Sequence, residues 1–337
     1  MDTRVPHKIV LSLLILAGML CALPAAAQTI LPEAIQLTDM ERRHVGHIRR
    51  TVNAPFRTLT TEHFLIVYAT DDYWADRTGQ LLERFYDDFY HSFRRAGFRL
   101  NRPPHRLVWV GFSMHDQFDA YGFQADKADI SWLDGYYSAR TNRVAVVRES
   151  DPVLPEHLDA RVQEVAMNLQ PSVSGDSSDE ITRLTHEAAH QLAFNSGLQT
   201  RGVLYPLWLS EGLATNLEAN PDGEFGIDSA NPARARQILR LHAAGELMPL
   251  TDFVQLSRLP RSHNASDLYA QAWSLMNYLF HHHPDQLRSY MARLSELPVG
   301  HRPKAVLLRE FEAEFGPIEQ LEAQWKTHLD SAEPQTL

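Results

Sequence analysis

Two histidines stand four residues apart in the stretch THEAAHQLAF, with a glutamate beside the first of them. In an α-helix, His186 and His190 lie only about 40° apart around the axis and one turn apart along it, so that both imidazoles can reach one ion. Glu187 lies about 100° from His186, beside such an ion. This H-E-x-x-H pattern is typical of sites in which two neutral imidazoles hold Zn²⁺ and the glutamate takes a proton from water. The alternative is a helix that carries polar residues on one side.

A third ligand is predicted in the segment PLWLSEGLAT, which begins at Pro206. Twenty residues separate His190 from Glu211, enough for a loop and a reversal that bring a second helix alongside the first. Gly212 and Ala214 are small residues where two helices and a metal can crowd together. Glu211 would then complete a His-His-Glu set. The alternative is a surface glutamate on an amphipathic helix.

Composition narrows the chemistry further. The chain has 337 residues and a net charge of −10, and an acidic chain is a poor candidate for nucleic-acid binding. Cys21 is the only cysteine. It lies in a segment that we expect to be removed, so the mature chain has neither a disulfide nor a thiolate ligand. A metal must therefore be held by histidine and carboxylate.

The N-terminus has the pattern of a secretory signal peptide. Arg4 and Lys8 precede an apolar run that ends in Ala25-Ala26-Ala27, a small-x-small cleavage site before Gln28. The apolar run is short for a bilayer span, which disfavours an uncleaved membrane anchor. Leu20 before Cys21 breaks the lipoprotein pattern. We expect a periplasmic or secreted protein without stable membrane insertion.

Hydrophobic patterning predicts an α+β fold. Residues 63–69 and 106–112 are predicted strands, and a helix with apolar residues at helical spacing follows the first and stops at Gly97. GYYSA and RVAVV flank residues 140–142 as a predicted hairpin. Residues 151–178 are predicted to be a loop with a short helix near 156–168.

Beyond residue 178 the pattern predicts helices and no clear strand. The predicted helical segments are 179–195, 206–219, 232–244, 266–282, 285–296, 303–315 and 317–330. In the first of them, a stripe of Ile181, Leu184, Ala188 and Leu192 faces the core, on the side opposite the two histidines. The triple histidine at 281–283 is interpreted as the polar end of a helix rather than a metal-binding tract.

The motifs HEAAHQL and WLSEGLA together resemble the gluzincin metallopeptidases, most closely the peptidase-MA-like families. TEHFLIVYA, YYSARTNRVAVV and LYAQAWSLMNYLF extend the resemblance over most of residues 58–282. The resemblance implies a zincin-like zinc peptidase with an N-terminal lobe of mixed sheet and helices, a helical C-terminal lobe, and the metal between them. We therefore divide the chain into a signal peptide (1–27), an α+β lobe that ends in the H-E-x-x-H helix (28–197), and a helical lobe with the third ligand (198–337).

By this resemblance, His186, His190 and Glu211 correspond to the Zn²⁺ ligands and Glu187 to the catalytic glutamate. Some gluzincins carry an aspartate one turn after the third ligand that supports a histidine. Here that residue is Thr215, so the histidine partners are left open.

Peptidases of this type often use a Tyr or His to stabilise the oxyanion, and Tyr269 is the candidate for this role. The alternative is a plain core aromatic, because Tyr269 shares helical spacing with Trp273 and Met276. His263 and Tyr205 are substitutes for the same role.

The sequence thus predicts an exported zinc peptidase that acts on a peptide or protein substrate, with the RVAVV strand pairing with extended substrate. Two alternatives stay open. One is a non-catalytic binding or structural protein of the cell envelope, and the other is a zinc hydrolase that acts on a non-peptide bond.

Overall fold

The hydrophobic runs of the N-terminal half assemble into one mixed five-stranded sheet. The computed structural model describes residues 37–148, 177–220, 223–260, 263–298, 300 and 302–333. The strands are β1 Arg57–Thr60, β2 Phe64–Tyr68, β3 Leu107–Phe112, β4 Gly135–Ser138 and β5 Arg143–Val147. Their order across the sheet is β1-β2-β3-β5-β4. The three central strands β2, β3 and β5 are parallel, and the outer strands β1 and β4 are antiparallel to their neighbours.

Eleven α-helices accompany this sheet within the described ranges. Those of the N-terminal half are α1 Asp39–Thr51, α2 Asp72–Arg95 and α3 His115–Tyr121, which continues into a π-helical turn, Gly122–Asp126. The others are α4 Ser177–Asn195, α5 Leu207–Leu217, α6 Pro232–Ala244, α7 Leu250–Phe253, α8 Ala265–His282, α9 Pro284–Glu296, α10 Lys304–Phe315 and α11 Ile318–Ser331. The predicted α+β class, with a helical C-terminal part, is confirmed.

Both faces of the sheet are covered, which explains why every residue of β2, β3 and β5 is buried. Side chains alternate between the faces along each strand. On β5, Val144 and Val146 belong to the core shared with α2 and α4, whereas Ala145 and Val147 belong to the core shared with α1 and α3. The helix with the histidines therefore packs on one particular face of the sheet.

The predicted strands at 63–69 and 106–112, the hairpin and the seven helical segments are all confirmed. One expectation is wrong: the RVAVV strand cannot offer its backbone to a substrate, because β5 lies between β3 and β4 and is hydrogen-bonded to both. The edge of the sheet on that side is β4.

Two predictions fall outside the described residues: the signal peptide 1–27 with Cys21, and residues 151–176 of the predicted loop with its short helix near 156–168. Within the described part of the chain, no helix combines the length and hydrophobicity that a bilayer crossing requires. The division into lobes at residue 197 stays a prediction.

Candidate metal centre

Three side chains from two helices meet at one point. His186 and His190 project from α4, and Glu211 projects from α5. The two Nε2 atoms are 3.2 Å apart, and Glu211 Oε2 lies 3.4 Å from His186 Nε2 and 3.5 Å from His190 Nε2. Among the described residues, this is the only group of His, Cys, Asp and Glu side chains whose ligand atoms are close enough together to hold a metal ion. The three predicted ligands are thus brought together.

The size of this triangle fits a small tetrahedral ion. Ligand atoms at about 2.0–2.1 Å from one ion, in tetrahedral arrangement, are separated from one another by about 3.3–3.4 Å. The three observed separations of 3.2, 3.4 and 3.5 Å bracket this value. Three protein ligands also leave one corner of a tetrahedron for water or substrate, which is the arrangement of catalytic rather than structural sites.

Negative charge around the two imidazoles favours a cation at this point. Burial alone lowers the pKa of His186, but hydrogen bonds with Glu211 and Glu218 and the charge of Glu187 outweigh burial and raise the pKa to about 10. Burial alone raises the pKa of Glu211, but the two imidazoles reverse this and hold it well below the usual range. Carboxylates therefore surround a point where a proton, or in its place a metal cation, is strongly stabilised.

A carboxylate that the sequence analysis missed supports the first histidine. Glu218 Oε2 lies 3.2 Å from His186 Nδ1, and Arg234 donates to Glu218 Oε1 from both Nε and Nη2, each at 3.1 Å. Burial raises the pKa of Glu218, but the charges of Arg234 and His186 outweigh it and keep the pKa low. An imidazole whose Nδ1 is held by a carboxylate turns Nε2 toward the metal. These linked hydrogen bonds, from Arg234 to Glu218 and between Glu218 and His186, thus fix the orientation of one candidate ligand.

The position one turn after Glu211 has a different role. Thr215 is buried, and its hydroxyl donates to the backbone carbonyl of Glu211 at 2.7 Å. Glu218 follows Glu211 by seven residues, which corresponds to two helical turns within about 20°. The sequence signal was therefore present, one turn farther along than expected.

Two threonines of α4 hold the end of α5 beside His186. The Thr185 hydroxyl accepts a hydrogen bond from the backbone N–H of Ala219 at 2.8 Å. The Thr182 hydroxyl donates to the Ala219 carbonyl at 2.9 Å. Because Thr185 precedes His186 and Ala219 follows Glu218, these bonds place the carboxylate against the imidazole.

The glutamine after the second histidine anchors α4 to the sheet. Gln191 is fully buried, its Oε1 accepts from Trp109 Nε1 at 2.8 Å, and its Nε2 donates to the Val108 carbonyl at 3.2 Å. Both partners lie on β3, the central strand. The histidines are therefore positioned by a helix that is hydrogen-bonded to the central strand of the sheet.

Gly212 lets α5 approach α8 closely, as its small size predicted. A Cβ atom at this position would lie only 2.6 Å from the carbonyl oxygen of Ala272 and 2.9 Å from Met276 Cβ. A hydrogen bond of 2.9 Å from Asn216 Nδ2 to the Trp273 carbonyl reinforces the same contact. The close packing brings α8 next to the ligand Glu211.

Tyr269 of α8 reaches the centre through this contact. Its ring centroid lies 6.3 Å from that of His186, and its hydroxyl interacts electrostatically with the Glu211 carboxylate. Burial and the charges of Glu211 and Glu187 raise its pKa well above 10, so the hydroxyl keeps its proton. Trp273, one turn on, is buried, whereas Tyr269 is only half-buried. Tyr269 therefore lies at the centre rather than wholly in the core.

The other candidates lie elsewhere. Tyr205 is buried with its hydroxyl bound to the Thr200 N–H at 2.7 Å and to Ser295, and His263 is exposed before α8. The triple histidine ends α8, as predicted, and the His282 ring packs against His328 of α11 at 5.0 Å.

The comparison with known families covers this region of the chain. Residues 180–299 match the family described as "Protein of unknown function (DUF1570)". No curated protein matches the chain. The matched segment includes the three candidate ligands, Glu187, Glu218, Arg234 and Tyr269, so the whole centre lies within the part of the chain that is similar to this family.

Proposed function

We propose that this chain is an exported, zinc-dependent peptidase. The observation that carries the proposal is the triangle of His186, His190 and Glu211 at 3.2–3.5 Å with the nearly buried Glu187 next to it on α4. The likeness of HEAAHQL and WLSEGLA to the gluzincin motifs supports the same reading. The signal-like residues 1–27 support export.

Zinc is the ion that suits this donor set best. Two imidazoles and one carboxylate, with no thiolate in residues 28–337, are typical of catalytic Zn²⁺ sites with an open position. When bound, Zn²⁺ supplies a Lewis acid that polarises a carbonyl and makes water a stronger nucleophile at neutral pH.

The residues of the chain then have separate tasks. Glu187 accepts a proton from the attacking water and passes it to the leaving amine. Tyr269 keeps its proton because of its raised pKa, so it donates a hydrogen bond to the carbonyl oxygen as that oxygen gains charge. Glu218, held by Arg234, keeps the imidazole of His186 in one orientation.

The outer strand β4 suits an extended peptide. The carbonyls of Asp134 and Ser138 accept from Val147 and Asn142 on the β5 side, so by alternation the backbone groups of Gly135 and Tyr137 point outward. β4 also lies against α4: the Tyr137 ring is stacked on Phe194 at a centroid distance of 5.5 Å. A substrate strand added here would run beside the helix that carries the ligands.

The test is Glu187→Gln, which removes the base and leaves the three ligands in place. Zinc content and melting temperature should stay near those of the wild type, while turnover on a broad peptide library should fall by about 10²–10⁴-fold. Glu296→Gln, at an exposed position, is the matched control and should retain full activity.

The alternatives give different results in the same experiment. Equal cleavage by the wild type and Glu187→Gln, at matched zinc content, would remove Glu187 from the mechanism. Zinc binding without cleavage of any peptide by the wild type would favour the binding-protein reading. Hydrolysis of ester or amidase substrates, without cleavage of any peptide, would favour the hypothesis of a zinc hydrolase that acts on a non-peptide bond.

A further inference from the structure

A second group of charged side chains lies on the opposite face of the sheet from α4. Arg143 begins β5, and it shares the side of the strand that faces α1 with Ala145 and Val147. Its side chain is nearly buried, with 6% of its surface exposed. A buried guanidinium normally meets a carboxylate, because an unpaired charge is costly to bury.

Among the described residues, Arg143 meets only neutral partners. Its Nη2 donates to His44 Nδ1 at 2.9 Å, and its Nη1 donates to the Tyr121 hydroxyl at 3.4 Å. Its Nε is buried without a hydrogen-bond partner in the described part of the chain. Since a guanidinium has five N–H donors, three are left over after these two contacts.

Asp126, an acidic residue of the same region, already accepts hydrogen bonds from other side chains. Asp126 accepts from Ser138 at 2.5 Å and from Arg140 at 3.2 Å with Oδ1, and from Tyr136 at 2.8 Å with Oδ2. Asp126 and Arg140 balance each other, so the positive charge of Arg143 has no equivalent partner in the described ranges.

Further basic groups surround Arg143. Burial lowers the pKa of His44 and of His47, both on α1, and the charge of Arg143 lowers both further. His47 and Arg140 are exposed, whereas Arg143 and His44 lie deeper. This group thus combines an exposed basic rim, formed by His47 and Arg140, with the buried guanidinium of Arg143.

We propose that this Arg143 site, formed by Arg143, His44, His47 and Arg140, binds a small oxyanion of the phosphate class. An oxyanion supplies the missing negative charge and several acceptors for the remaining guanidinium donors. The exposed imidazole of His47 gains a proton as the anion enters and then donates to it, whereas His44 keeps Nδ1 as the acceptor for Arg143 and donates from Nε2. This site is independent of the proposed peptidase activity, because the sheet separates it from the metal centre.

The test is titration of the full mature chain with inorganic phosphate, at constant ionic strength with chloride as the reference, with and without EDTA. Phosphate should bind with a dissociation constant at or below about 1 mM. The ring resonances of His44 and His47 should shift with it, and those of His242, in the helical part, should not. EDTA should leave the binding unchanged, which separates this site from phosphate at the metal. Glycerol phosphate, titrated in parallel, distinguishes a free ion from a phosphate carried on a larger molecule.

Arg143→Gln should weaken phosphate binding by about tenfold or more, since charge-assisted hydrogen bonds are lost. If that variant does not fold, the double variant H47Q/R140Q tests the exposed rim instead, with Arg240→Gln as an exposed control. Absence of any difference between phosphate and chloride in the wild type would overturn the proposal. Undiminished phosphate binding in the folded Arg143 or rim variants would do the same.

Discussion

Glu218 offers the most specific test of the proposed metal centre. It lies 3.2 Å from His186 Nδ1, is nearly buried, and receives two hydrogen bonds of 3.1 Å from Arg234. Glu218→Ala removes the carboxylate, frees the imidazole to rotate and leaves Arg234 without its counter-charge. Residues of this kind typically contribute 10–100-fold to metal affinity. We expect the zinc dissociation constant of Glu218→Ala to rise by about that factor, or about 1.4–2.7 kcal/mol.

The conservative change separates charge from contact. Glu218→Gln keeps an acceptor for His186 but loses the charge, and charge-assisted hydrogen bonds are about twice as strong as neutral ones. Its loss of affinity should therefore be smaller, near the lower end of the same range. Arg234→Gln should have a similar but weaker effect, and combining it with Glu218→Gln should add little, because the two residues act as one unit.

The assay is competition for Zn²⁺ with a chromogenic chelator, with circular dichroism of the metal-free proteins to establish that each variant is folded. Glu224→Gln is the matched control: it also removes one negative charge close in sequence, but Glu224 contacts Asn220 rather than His186. A zinc affinity of folded Glu218→Ala within twofold of the wild type would refute this account of the histidine. An equal loss of zinc affinity in Glu224→Gln would show that the effect comes from the overall charge of the protein rather than from the contact with His186.

Three further predictions concern separate parts of the fold. Tyr269→Phe should lower kcat on peptides by about a hundredfold with little change in melting temperature, whereas a purely structural tyrosine would show the reverse. Gly212→Ala should destabilise the metal-free protein by about 1–3 kcal/mol in urea unfolding, since the added Cβ would lie 2.6 Å from the Ala272 carbonyl oxygen; unchanged stability would show that α5 and α8 can move apart freely. Burial raises the pKa of Glu41, but bonds from Thr38 and Arg106 outweigh it and hold the pKa below 4.5, so Glu41→Gln should cost about 1–3 kcal/mol at pH 7. Because the folded-state pKa is the lower one, this difference in unfolding free energy should shrink as the pH falls below 4.5, and a constant difference would contradict it.

Local sequence patterns predict the elements whose structure depends on residues that are close together in the sequence. The buried strands, the hairpin around residues 140–142 and the helix stop at Gly97, whose φ is +82°, all follow from short segments. Helix α1 also had such a signal and was overlooked. Thr38 and Glu41 form a capping box, and Val45 and Ile48 form its buried stripe. Strand β1 is short and half-exposed, so its residues carry little of the pattern that marks a buried strand.

The order of strands across the sheet cannot be obtained in this way. RVAVV has the alternation of a strand whether it lies at the edge or in the centre. Its interior place follows from pairing with β3, whose register joins Val108 to Arg143 across about thirty-five residues of chain. The same non-local contact decides that β4, rather than β5, is the outer strand on this side of the sheet, and therefore the strand that we propose to meet an extended peptide.

The candidate metal centre depends on both local sequence patterns and contacts between distant segments. Helical spacing was enough to predict that His186 and His190 converge, because both lie on one helix. The distance from these imidazoles to Glu211 depends on two contacts between separate segments: the Thr185 bond to Ala219, and the approach of α5 to α8 at Gly212. Residue types hint at such contacts, since a glycine or a buried threonine leaves room or supplies a bond, but they give no distance. The separations of 3.4 and 3.5 Å from Glu211 to the two imidazoles occur with both contacts in place. A substitution at Gly212 should therefore raise the dissociation constant of zinc, because it displaces Glu211. The hydrogen bond between Glu218 and His186 should be kept in the same variant.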